Sequence, residues 1–245
     1  MIKEKLKTGQ PYFGVWLQIP YAPLAELLAS LGFDWVCIDL EHSPMTIEQA
    51  MHLIMAIERG GSMPFVRIPK NDHVWIKYML DSGAKGIIIP MINSQEDACK
   101  AVMDCSYGGS RSFGYCRANL LGEKFNDYVH EFNPVIILQI EHEKAIRNLD
   151  LILQVPYINA TFTGPYDLSG SLGVPGEFES EIYLSAIKTY EDKSKQHNVP
   201  FGAHIVRPTK DLIKSHVDKG YTFIALGIDA VFACEKAKDI LKCKP

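Results

Sequence analysis

Two kinds of apolar pattern alternate along the chain. Short runs dense in Val, Ile, Leu and aromatic residues recur at FGVWLQI (13–19), WVCIDLEH (35–42), MPFVRIP (63–69), GIIIPMI (86–92), VIILQIE (135–141), ATFTGPYD (160–167), FGAHIV (201–206) and FIALGID (223–229). Their apolar positions are consecutive, as in strands buried on both faces. Helix-period segments lie between them. In TIEQAMHLIMAIERG, Ile47, Met51, Ile54 and Glu58 repeat near 3.6 residues and Thr46 is placed to cap. HVWIKYMLDSG has Asn71 or Asp72 at its start, and AVFACEKAKDILK closes the chain with a helix expected over 231–242. Eight strand-plus-helix units predict an α/β fold in which a parallel sheet closes into a (β/α)8 TIM barrel. An open doubly wound sheet would more often carry G-x-G-x-x-G after its first strand, and GVWLQIPYAP has none. No internal linker is visible, so residues 1–245 read as one domain. The rhythm breaks once, between Gly108 and Asn133, where GGSRSFGYCRA reads as an active-site loop and LGEKFNDYVHEF as an extra helix.

Composition narrows the function classes. The 47% apolar and 22% charged fractions are those of an ordinary globular protein, and the net charge is −4 with 25 basic residues in no run or stripe. Nucleic acid and membrane are therefore poor partners, and a small-molecule substrate is expected. The N-terminal MIKEKLKTGQ does not resemble a secretion signal, which implies a cytoplasmic protein. The six cysteines show no C-x-x-C and no zinc-finger spacing, so they read as reduced thiols.

In a barrel of this kind chemistry collects where strands end. Reading only those ends gives Gln18; Asp39, Glu41 and His42; Arg67 and Lys70; Gln139 and Glu141; Asp167; and His204 and Arg207. Each has a structural explanation by itself, as a helix cap or an ion-pair partner. Together they put a base, a cation and two carboxylates on one rim. Glu141 and Asp167, from successive strands, suit a hard divalent cation such as Mg2+ or Mn2+. A 2-oxo acid would chelate that ion through a carboxylate oxygen and its keto oxygen. Arg67 would face negative charge developing on the enolate oxygen, and His42 could move a proton. Gln139, two residues before Glu141, shares its strand face and is placed to orient it.

At these residues the chain resembles the HpcH/HpaI aldolase family, the divalent-metal-dependent (class II) pyruvate aldolases. The similar stretches are DWVCIDLEHSP (34–44), FVRIPKND (65–72), GIIIPMI, RSFGYCRA (111–118), LQIE (138–141) and GPYDLSGSLG (164–173), in order through nearly the whole chain. The resemblance implies a barrel of the phosphoenolpyruvate/pyruvate-domain type that reversibly cleaves a 4-hydroxy-2-oxo acid into pyruvate and an aldehyde, with Mg2+, Mn2+ or Co2+ as cofactor. Carried over by motif, His42 and Arg67 match catalytic positions, Glu141 and Asp167 the metal ligands, and Gln139 a glutamine near the metal. The backbone across Gly164, Pro165, Tyr166 and Asp167 matches the loop that holds the pyruvate carboxylate. Asp81 matches an aspartate that supports the histidine, often from a neighbouring subunit. A homo-oligomer, hexamer or trimer, is implied, with the C-terminal helix packed on an adjacent chain.

There are departures from the family pattern. Tyr115 and Cys116 lie in a variable loop, Tyr166 replaces a small side chain, and HIVRP at strand seven differs, so the prototype's substrate does not transfer. Two other readings are a citrate-lyase-type acyl-CoA (malyl-CoA-like) lyase, which would need a basic patch for CoA phosphates, and a non-catalytic oxo-acid-binding barrel. A Schiff-base aldolase would need a lysine inside the barrel, and Lys70 is the nearest candidate. The sequence assigns no definite role to Arg111, Arg117 or His204, and places Arg207 where it could recognise a distal carboxylate.

Overall fold

Eight strands close into a parallel barrel in chain order in a computed structural model, which describes residues 2–244. They are β1 (Tyr12–Leu17), β2 (Trp35–Asp39), β3 (Met63–Arg67), β4 (Gly86–Ile89), β5 (Val135–Gln139), β6 (Ala160–Thr163), β7 (Phe201–Ile205) and β8 (Phe223–Ile228), with β1 paired to both β2 and β8. The expected (β/α)8 architecture is present. Two local boundaries differ from the sequence reading. The fifth run leaves the ladder at Gln139, so Glu141 stands two residues beyond the strand. After β6 the Gly-Pro step opens a short helix, Pro165–Ser171, because proline's fixed φ suits a first helical position.

Both faces of each strand are covered, which explains the unbroken apolar runs. Val15, Leu17, Val36, Ile38, Val66, Ile87 and Ile89 pack outward with the helices. Trp16, Trp35, Phe65, Ile88, Ile137, Phe162 and Phe223 fill the interior. Trp35 and Phe223 stack with ring centroids 4.2 Å apart. Glycines make room for these rings: a Cβ on Gly14 would lie 2.0 Å from the Trp35 ring, and one on Gly86 would lie 2.1 Å from Phe65. Trp75, outside the barrel, packs against the helix layer. The helix Ile2–Lys7 covers the floor by placing Ile2 and Leu6 among the interior residues Tyr12 and Val135. At the other terminus, the helix Asp229–Leu241 turns Phe232 toward Gly227 and leaves Ile240 and Leu241 exposed.

The segment between Gly108 and Asn133 needs a correction. Its extra helix exists, at Phe125–Glu131, after a short 3-10 turn at Arg117–Gly122. It connects the end of helix Gln95–Cys105 to the start of β5, however, and helix-to-strand connections lie at the barrel end opposite the strand termini. Arg111 pairs with Asp81 at 2.6 Å among the rings of Tyr107, Tyr128 and Phe132. Arg117 donates to the Ser82 carbonyl at 2.7 Å and pairs with Glu58. These arginines anchor the loop, which does not border the cavity of its own barrel.

Candidate active site at the strand termini

The last residues of β2 and β3 are register partners, Asp39 and Arg67, and their side chains meet as well. Arg67 Nε lies 2.9 Å from Asp39 Oδ1 and Nη2 lies 2.8 Å from Oδ2, so the fork is matched on both prongs. The remaining nitrogen, Nη1, is 3.0 Å from Glu41 Oε2, an ion pair not aligned as a hydrogen bond. Asp39 also accepts the Gln18 amide at 2.9 Å and the backbone N–H groups of Glu41 and His42 at 3.1 and 3.3 Å. Burial works against the Asp39 charge, but the hydrogen bonds and charge of Arg67 outweigh it and lower its pKa. For Glu41 burial wins over Arg67 and His42, and its pKa rises. The IDLEH run spaces Asp39 and Glu41 two apart, hence on one side of the extended chain, a signal that gains its meaning from Arg67. Asp229, at the end of β8, received no role from the sequence, although GID after an apolar run marks a strand end. It fixes the end of β1 by accepting from the backbone of Gln18 and Ile19 at 3.0 and 2.9 Å.

The second cluster comes from β4, β5 and β6. Glu141 is 2% exposed. Its Oε1 accepts the Met91 backbone N–H at 2.7 Å and its Oε2 accepts the Gln139 amide. Met91 holds that N–H in place from a left-handed backbone, φ 55°, which costs a non-glycine residue on the order of 1 kcal/mol. Gln139 therefore orients the carboxylate as its spacing suggests. Burial, resisted by the Met91 N–H and reinforced by the charges of Glu41 and Asp167, raises the Glu141 pKa to about 7. Gly164 packs flat on this group: a Cβ there would lie 2.6 Å from Glu141 Oε2 and 2.9 Å from Gln139 Nε2. Gly164→Ala is expected to lower divalent-cation affinity roughly 10–100-fold by displacing the carboxylate and its orienting amide, measured by titration calorimetry.

His42, Arg67, Gln139, Gly164, Pro165, Tyr166 and Asp167 all border one cavity of about 430 Å³, together with Gln18, His204 and Arg207. Glu141 lies just behind this wall, against Gln139 and Gly164. The donor set fits a divalent cation. Glu141 and Asp167 would offer hard carboxylate oxygens, the nearby charges of Glu41 and Asp167 help raise the pKa of Glu141, and the buried Gln139 Oε1 has no hydrogen-bond partner. Among the described residues no cluster of three or more His, Cys, Asp or Glu forms a closed cage. Two carboxylates would leave coordination positions for water and substrate.

Asp81 is the candidate that stands far from the cavity. It ends helix His73–Asp81, at the opposite end of the barrel, where it pairs with Arg111. Lys70 is also absent from the wall; it is exposed and lies 3.5 Å from Asp72. His142 caps helix Glu143–Arg147, its Nδ1 accepting from Lys144 N at 3.1 Å.

The family model for HpcH/HpaI aldolase/citrate lyase matches residues 12–235. The chain is similar to a 4-hydroxy-2-oxo-heptane-1,7-dioate aldolase from Klebsiella pneumoniae subsp. pneumoniae, with 34% identity over 96% of this chain and 90% of that protein. It is 33% identical to a hydroxypyruvate/pyruvate aldolase from Roseobacter denitrificans, over 97% of this chain and 94% of that one. Among solved structures, an HpcH/HpaI aldolase/citrate lyase family protein from Burkholderia cenocepacia superposes with a TM-score of 0.93 at 28% identity, covering 98% of this chain and 97% of that one.

Proposed function

Because the chain belongs to the HpcH/HpaI aldolase/citrate lyase family and is a carbon-carbon lyase, we propose that it reversibly cleaves a 4-hydroxy-2-oxo acid into pyruvate and an aldehyde. The observation that carries this reading is Arg67, a cation fixed by Asp39 and Glu41, bordering the same cavity as Asp167 and Gln139, which orients Glu141. In cleavage the C3–C4 bond breaks. The 4-hydroxyl loses its proton and becomes the aldehyde oxygen, the electron pair moves into the C2 carbonyl, and C3 is then protonated to give pyruvate. Arg67 stabilises the charge on the C2 oxygen, and its anchored fork needs no reorganisation as that charge appears. His42 takes the hydroxyl proton. The backbone from Gly164 to Asp167 receives the pyruvate carboxylate, with the N–H groups of the first turn of helix Pro165–Ser171 as donors. A divalent cation held by Glu141 and Asp167, with Mg2+, Mn2+ or Co2+ as the proposed choices, supplies Lewis acidity toward the keto group.

Asp81 stands at the far end of its own barrel, so its support of His42 would be exerted on a second copy of the chain. Exposed Ile240 and Leu241 on the C-terminal helix give a homo-oligomer, hexamer or trimer, a contact surface. Among the described residues the cavity is lined by two arginines, Arg67 and Arg207, and no lysine, too few cations for the phosphates of an acyl-CoA, which favours a small oxo acid. No helix among the described residues is long and apolar enough to cross a membrane, and the proposed location is the cytoplasm.

Pyruvate release from a panel of 4-hydroxy-2-oxo acids tests the proposal. Activity should vanish in EDTA and return with Mg2+, Mn2+ or Co2+. Full turnover in excess chelator, or a borohydride-trapped pyruvate adduct on Lys70, would overturn it.

A further inference from the structure

Resting on the aldolase reading, we propose that the aldehyde handled in this cavity is uncharged. Apart from the polar side chains Gln18, His42, Arg67, Gln139, Asp167 and Arg207, the wall is built from Trp16, Phe162, His204, Val206, Ile228 and Tyr166 beside the Gly164–Pro165 step. The His204 ring stacks on Trp16 with centroids 4.7 Å apart, and its Nε2 lies 3.2 Å from the Gly227 carbonyl. A carbonyl only accepts, so Nε2 carries the hydrogen. Burial, aided by the charge of Arg67 and opposed by that hydrogen bond, lowers the imidazole pKa to about 4. At neutral pH His204 is thus a flat, polar, neutral group. Arg207, the remaining arginine on the wall, donates from its Nε to Glu235 Oε1 at 2.7 Å, so a ligand carboxylate would have to compete with Glu235 for it.

The charge balance points the same way. Asp39, Glu41, Glu141 and Asp167 surround a single paired arginine, and Glu41, Glu141 and Asp167 already interact unfavourably. A divalent cation and the pyruvate carboxylate would together leave the loaded site net negative. A second carboxylate, on the aldehyde, would enter against that field with only the Glu235-paired Arg207 to receive it. An uncharged aldehyde meets the stacked Trp16 and His204 surface without that cost.

Two acceptors of the same shape separate the possibilities: 4-formylbenzamide and 4-carboxybenzaldehyde, each offered with pyruvate and Mg2+. The amide is expected to show a kcat/KM at least about 10-fold higher, equivalent to about 1.4 kcal/mol. Glu235→Gln, outside the cavity wall, frees Arg207 and should narrow that ratio severalfold. Saturation-transfer NMR with the two corresponding unreactive benzyl alcohols gives a binding readout, in which the amide should be the tighter ligand. Deuterium exchange into the pyruvate methyl group, without aldehyde, reports the aldolase reading separately. Exchange together with equal or better use of the carboxylate overturns the present proposal alone. Loss of exchange removes both. An unchanged ratio in Glu235→Gln overturns the role given to Glu235.

Discussion

Arg67→Lys is expected to lower kcat/KM by roughly 10²–10³, the usual cost of removing one preorganised donor aimed at developing negative charge. A lysine keeps the charge but not the fork. It cannot reproduce the contacts at 2.9 and 2.8 Å to the two Asp39 oxygens and the one at 3.0 Å to Glu41. Arg67→Ala goes further, leaving Asp39, with no exposed surface, as an uncompensated buried charge, at about 3–5 kcal/mol of stability. The pH dependence distinguishes this from a generic loss. In the native protein Arg67 overcomes burial and holds the Asp39 pKa below its unfolded value, so the pair's stabilisation is present at neutral pH and is lost as pH falls through the folded pKa. Without Arg67 burial dominates and the Asp39 pKa rises above the unfolded value. The alanine variant should therefore gain stability on mild acidification, which thermal unfolding across pH will show. An Arg67→Lys enzyme with native kcat/KM would remove Arg67 from the mechanism.

The second large effect separates stability from activity at one residue. Glu141→Gln should abolish cation-dependent turnover while making the cation-free protein more stable above pH 7. Burial, with the charges of Glu41 and Asp167, raises the Glu141 pKa to about 7, so ionisation at this site opposes folding. The sign follows directly. Relative to the ionised form, stabilisation by the neutral carboxyl is full below the unfolded value near 4.3 and is lost as pH rises through the folded value near 7. Glutamine stays neutral at every pH, and a shift of this size corresponds to roughly 3–4 kcal/mol. Its Oε1 can still accept from Met91, while its amide can donate to Gln139 Oε1, now without a partner, if the Gln139 side chain flips. Unfolding melts at pH 8 in EDTA give the stability, and the pyruvate assay with Mg2+ gives the activity. A variant that is active, or less stable at pH 8 than the native protein, would contradict this account of Glu141.

The barrel was legible because its strands are buried on both faces, which writes them as unbroken apolar runs whose polar residues stand at the ends. Those ends name Arg67, His42, Gln139 and Asp167, and the cavity brings them together. The misplaced loop shows where pattern fails. GGSRSFGYCRA has the glycines, arginines and aromatic residues of a binding loop, and such a composition is the same at either end of a barrel. Its position after a helix and before a strand was the usable signal. The state of each charge was illegible for a different reason. Nothing in IDLEH shows that Asp39 is lowered and Glu41 raised, because that depends on which of them shares both oxygens with Arg67 and on burial. His204 likewise reads as a titratable histidine until burial against Trp16, aided by the charge of Arg67, keeps it neutral despite its hydrogen bond to the Gly227 carbonyl.

Inside the barrel, two of the large rings lie in the space left by a glycine on a neighbouring strand, Trp35 over Gly14 and Phe65 over Gly86. Neither member of such a couple can change size by itself: a side chain on the glycine collides with the ring, and a smaller ring leaves a void. Divergence in the interior must then proceed by matched double replacements, which are rare, whereas single replacements at Tyr166, Val206 or Arg207 disturb no such fit. Lineages sharing this framework can exchange substrates quickly while their interiors stay almost unaltered.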